Sequence, residues 1–150
     1  MKLAEALLLR ADLNRKTAQL AQRIRKVATV QEGETPQENP LTLKTALEQA
    51  YAELEQTIVR INRANIDIAF DEETSLMAAL AKRDVLKAEL AELHTIRDAA
   101  TVTNHRYSTT EIRTVATMDL PALQKEIDDK SKAYRLLDAK IQSLNWTHDA

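Results

Sequence analysis

Asn62, Asn65, Arg83 and Asp84 form the most unusual polar set in the chain. An arginine presents a planar fork of donors that matches a carboxylate or small anion in two-point fashion, and side-chain amides can complete such a site. If two helices meet antiparallel about the stretch 70–75, positions 65 and 80–83 fall roughly level. A network of these four side chains would then bind a small anion, or would act as a polar lock setting helix register or subunit pairing.

A second candidate is the segment holding His105, Arg106, Tyr107 and Arg113. Two arginines, a histidine and neighbouring hydroxyls can take a phosphate or an acidic partner. They can equally form a contact between subunits with solvated charges, and no glycine-rich cradle accompanies them.

The remaining polar groups point away from catalysis. His94 and Asp98 are spaced for one helix face, yet a metal site needs three or four converging ligands. Asp71-Glu72-Glu73 and Asp128-Asp129 lack the alternating spacing and central glycine of a calcium loop. The serines have no glycine-flanked elbow and no placed histidine partner. One glycine, Gly33, cannot build a nucleotide loop, and with no cysteine there is neither thiolate chemistry nor a disulfide. The expectation is a non-enzymatic protein with no metal or cofactor.

Helices must carry these groups. Gly33, Pro36 and Pro40 cluster in one ten-residue stretch, and Pro121 stands at a helix start, so little else interrupts helix. The spacing predicts four amphipathic helices over about 2–30, 42–69, 75–100 and 120–145, in a single domain spanning 1–150. The fold class expected is all-α: an antiparallel bundle or coiled-coil arrangement with a short extended or β-hairpin insertion near 101–118.

Each helix shows an apolar line at three- and four-residue steps, the mark of a packed seam. The first carries Leu3, Ala6, Leu13, Leu20, Ile24 and Val27. The second carries Leu43, Leu47, Tyr51, Leu54, Ile58, Ile61, Asn65 and Ile68, with Asn65 standing where an apolar residue belongs. Thr42 is its expected cap. The third runs Ala79, Arg83, Leu86, Leu90, Leu93, Arg97, Ala100. Arginines on such a line need carboxylate partners. Asp84 and Asp98 adjoin them but point elsewhere on the helix, so another segment is expected to supply the partners. Asp71, Thr74 or Ser75 can cap this helix.

The fourth helix, capped by Asp119, runs Leu123, Ile127, Lys130, Tyr134, Leu137, Ile141, Leu144. Between the third and fourth, Thr101–Thr103 and Ile112–Thr117 are rich in β-branched residues, which favour short strands with a turn at Tyr107–Thr110.

Hydrophobic residues make up 44% of the chain and aromatics 3%, which suits narrow aliphatic seams and favours self-association into a homo-oligomer. The net charge of −2 is unevenly placed: residues 1–30 hold seven basic and two acidic groups, and residues 31–60 hold two and six. Complementary packing of the first helix on its neighbours is the simplest reading, with nucleic-acid binding the competitor. Glu5 breaks the apolar opening, and no run approaches the roughly 18 apolar residues of a membrane span. A cytoplasmic location is therefore expected, with neither membrane nor nucleic acid as partner.

Several strings resemble a bacterial family of small helical proteins labelled septicolysin-like. Ile61-Asn-Arg-Ala-Asn65 is similar to its Ile-Asn-x-Thr-Asn element, with Ala64 in place of Thr. Leu80-Ala-Lys-Arg-Asp84 is similar to its Leu-Ala-x-Arg-Asp element. Tyr107-Ser-Thr-Thr-Glu-Ile112, Tyr134-Arg-Leu-Leu-Asp138 and Leu144-Asn-Trp146 match its C-terminal part. The resemblance implies an all-helical fold with no assigned biochemical role, and its label suggests a membrane-active cytolysin. A self-associating structural or interaction module is the leading reading. A cytolysin, or a nucleic-acid or small-anion binder, stands as the alternative.

Overall fold

A computed structural model describes residues 1–102 and 112–150. Four helices follow in order: α1 (Leu3–Val27), α2 (Pro40–Asp67), α3 (Leu76–Ala100) and α4 (Leu120–Thr147). The all-α class is as the seam spacing predicts. Among the described residues there is no strand, only the single bridges Lys2–Asp149 and Ala69–Ser75. Ile112–Thr117 is irregular backbone rather than the expected strand. Its β-branched side chains favour extension, but no described segment offers it a ladder of hydrogen bonds. The expected turn at 107–110 lies outside the described residues.

Local chemistry sets the helix limits. Asn39, not Thr42, caps α2: its Oδ1 accepts the amide hydrogens of Leu41 at 2.9 Å and Thr42 at 3.4 Å. Pro40 then occupies the first helical position, where its missing N–H costs nothing. Asp119 Oδ1 accepts from Ala122 at 3.1 Å, capping α4 as expected, with Pro121 in the first turn. Asp71 instead shapes the connection between α2 and α3, accepting from the amides of Glu73 and Thr74 and from the Thr74 hydroxyl. Such a carboxylate-centred turn ends a helix without glycine or proline. Gly33 supplies the positive φ, +89°, in the α1–α2 connection.

The chain divides into two compact units, Met1–Ser75 with Gln142–Ala150, and Leu76–Ile141. In the first, α1 and α2 run antiparallel around Leu20, Leu43 and Ala50, flanked by Ile24, Val27, Ala46 and Leu47. Both ends of the sequence meet here. The Leu3 amide donates to the His148 carbonyl and the Ala150 amide to that of Met1, each at 2.9 Å, while Lys2 Nζ lies 3.0 Å from Asp149. In the second unit, α3 and α4 run antiparallel around Leu90, Leu123 and Ile127, with Leu86, Leu93 and Tyr134 against them.

One seam is rotated from its expected position. On α2 the buried residues are Leu43, Ala50, Leu54, Thr57, Ile61 and Ala64, followed by Ile68 just beyond the helix. Leu43, Ala50, Thr57 and Ala64 recur every seven residues, so small side chains take the line next to Tyr51, Ile58 and Asn65. Ala50 is 2% exposed, whereas Tyr51 is 53% exposed and Ile58 38%. Asn65 is half-buried beside the seam rather than in it.

Candidate interaction surface and polar clusters

Arg83 and Asp84 are brought together, and both belong to the α3–α4 unit. All three guanidinium nitrogens of Arg83 donate to carboxylates: Nε and Nη2 to Asp84 Oδ1 at 3.1 and 3.0 Å, and Nη1 to Asp138 Oδ1 at 3.2 Å. Burial works against the charge, but the hydrogen bonds and attraction from Asp84 and Asp138 outweigh it and hold the arginine above its usual pKa. Asn62 and Asn65 lie on α2 in the other unit, Asn62 exposed.

Two further cross-links complete a ladder along α3 and α4. Lys130 Nζ lies 2.9 Å from Glu89, and the hydrogen bond to this carboxylate raises the lysine's pKa. Arg97 Nη1 donates to Gln124 Oε1 at 3.2 Å while its other nitrogens hold Asp98. The expectation that another segment partners the seam arginines is half the answer. The sequence-adjacent aspartates pair as well, because an arginine stem is long enough to fold its fork back over its own helix.

On α1, Arg23 pairs with Glu38 of the connection, which lowers the Glu38 pKa chiefly through the hydrogen bond. Arg25 and Lys26 are exposed in the last turn, where the helix dipole favours cations. Among the described residues no group of three or more His, Asp or Glu side chains is placed to hold a metal. His94 is exposed, and its neighbour Asp98 is held by Arg97. His105, Arg106 and Tyr107 lie outside the described residues, and Arg113 is exposed.

The feature that sequence reasoning missed is apolar. Rotation of the α2 seam leaves Tyr51, Ile58, Val59 and Ile66 uncovered, at 53, 38, 43 and 59% exposure. At 3.6 residues per turn they occupy an arc of about 100° beside the buried face. Ala52, Glu55, Val59 and Arg63 also line a groove bounded by Asp149 and Ala150. The available signal was the sevenfold recurrence of Ala50, Thr57 and Ala64, which a search for large apolar residues passes over. Thr17 and Thr57 are buried in the same way, their hydroxyls satisfied by the carbonyls of Asn14 and Glu53.

The arrangement defines an all-helical protein built from antiparallel helix pairs, with paired charges across one pair and an uncovered apolar line on the other. The chain belongs to a family of unknown function, DUF6847, which matches residues 10–150. It is similar to a functionally unknown conserved protein from Corynebacterium diphtheriae whose crystal structure is known. The two share 41% identity over 97% of this chain and 95% of that one, with a TM-score of 0.87. No curated protein matches. These similarities do not support the septicolysin-like name. Among the described residues no helix is long and apolar enough to cross a membrane.

Proposed function

We propose that this protein is a non-enzymatic, self-associating helical module, and that α2 carries its association surface. The observation behind the proposal is the line Tyr51, Ile58, Val59 and Ile66, exposed along one side of a helix whose other face is already packed. Single exposed apolar residues are ordinary, but four on one side of a packed helix, interspersed with exposed Glu55 and Asn62, suit a contact surface of mixed character. The clusters around Arg83 and Arg97 serve as register locks within their helix pair in this reading, since carboxylates and an amide oxygen already engage their forks.

Sedimentation of Ile58→Asp and Leu54→Asp variants tests the proposal. Leu54 is buried, so its substitution unfolds the helix pair, whereas Ile58→Asp keeps its helicity and loses association. Wild-type protein that sediments as a monomer at every concentration removes the reading. The cytolysin reading rests on the resemblance strings alone and predicts dye leakage from liposomes. The nucleic-acid reading rests on exposed Arg25 and Lys26 and predicts a salt-sensitive gel shift.

A further inference from the structure

We infer that the occupant of the α2 apolar line is the α2 of a second copy, running antiparallel about a two-fold axis that passes beside Val59. The inference rests on the self-association reading and adds its geometry.

The charge pattern of α2 selects this arrangement. Nearest Val59, Glu48, Glu53 and Glu55 precede it and Arg60 and Arg63 follow it, with Lys44 and Asp67 at the far ends of the helix. Two copies laid parallel and in register set each of these charges against itself. An antiparallel pair centred on Val59 brings Glu55 level with Arg63 of the other copy, because each lies four residues from the centre. It also brings Ala52 level with Ile66, each seven residues away. Glu55 and Arg63 are exposed, and both border the groove that Val59 and Ala52 line. Glu55 and Arg63 thus face each other twice across the axis, the self-complementarity that a closed two-fold interface uses. Like charges in contact disfavour the parallel alternative.

The buried line of α2 does not compete for the role. Leu43, Leu54 and Ile61 are already covered, while the exposed line spans from Tyr51 to Ile66, roughly 22 Å of helix at 1.5 Å per residue. A contact of that length is short for an obligate dimer, so the association is concentration-dependent.

The absence of cysteine makes the geometry directly testable, since each engineered thiol is the only one in its chain. Val59→Cys crosslinks to its own copy under mild oxidation. Ala52→Cys and Ile66→Cys do not crosslink alone, because like positions lie about 21 Å apart across the axis, but they do when mixed. Glu55→Arg weakens association by about three- to tenfold, and adding Arg63→Glu restores it. Self-crosslinking of Ala52→Cys as readily as Val59→Cys overturns the antiparallel register. A sedimenting dimer with no crosslink at Val59 also overturns it, while leaving self-association standing. A wild-type monomer at about 100 µM removes both, since an affinity weaker than that has no standing as assembly.

Discussion

Arg83 on α3 reaches Asp138 on α4 with 3.2 Å between Nη1 and Oδ1, while its other two nitrogens hold Asp84 on its own helix. One side chain therefore links the pair crosswise and braces itself lengthwise. The arginine lies on the apolar line between Ala79 and Leu86 and is only 23% exposed, so those carboxylates offset the cost of holding its charge there.

Truncation separates the two links. Arg83→Ala removes the bond to Asp138 together with the packing of the arginine stem and costs about 1 kcal/mol in urea unfolding. Arg83→Leu costs less, because an apolar residue suits the seam. Asp84→Asn stays within about 0.5 kcal/mol, since that carboxylate is largely exposed. Equal losses in Arg83→Ala and Asp84→Asn would show that the cross-helix bond contributes nothing.

The rotated seam makes neighbouring residues behave differently. Ala50→Leu overpacks the site against Leu20 and Leu43 and destabilises by about 1–3 kcal/mol. Tyr51→Leu, one position on, changes folding stability little and acts on association instead. Thermal unfolding at low concentration distinguishes them, and the reverse order would return the seam to Tyr51.

At the start of α2, Asn39→Ala removes the acceptor for two helical amides and costs about 1 kcal/mol. Thr42→Ala is close to neutral, because its side chain is exposed and another residue caps the helix. Paired chemical denaturation of the two variants is sufficient to check this.

Acid weakens two of the links in the first unit. Glu38 and Asp149 have pKa values lowered mainly by hydrogen bonds from Arg23 and Lys2. Their stabilisation is full above the unfolded carboxylate value of about 4 and is lost as pH falls through the lower folded values. Glu38→Gln or Asp149→Asn therefore flattens the fall in stability between about pH 5 and pH 2. Added salt flattens it too, because both pairs are exposed. An acid limb unchanged in both variants would count against these pairs.

The seam of α4 is legible because leucine, isoleucine and tyrosine mark nearly every contact position, and that of α3 because Leu86, Leu90 and Leu93 do. On α2, Ala50, Thr57 and Ala64 share the buried face with Leu43, Leu54 and Ile61 while Tyr51 and Ile58 sit outside it, so ranking positions by hydrophobicity turns the seam away from its true line. The start of that helix was misread for a related reason. Pro40 reads as a breaker in sequence, yet at the first helical position it serves as a starter. The register locks were half visible: spacing placed Arg83 and Arg97 on the seam, but only coordinates show that each grips both its neighbour and the facing helix. Asn62 and Asn65 lie in one unit and Arg83 in the other, and the carboxylates that engage Arg83 lie on α3 and α4.

The clasp between the two ends of the sequence has a consequence for the order of folding. Residues 76–141 form an uninterrupted stretch, whereas the first unit is discontinuous and needs residues 142–150 to finish it. The second unit can thus be completed while the first still lacks a part. Joining the Leu3 and Ala150 amides to their acceptors closes the longest loop among the described residues, which carries the largest closure entropy. Closing the clasp therefore depends on two segments that lie at opposite ends of the sequence.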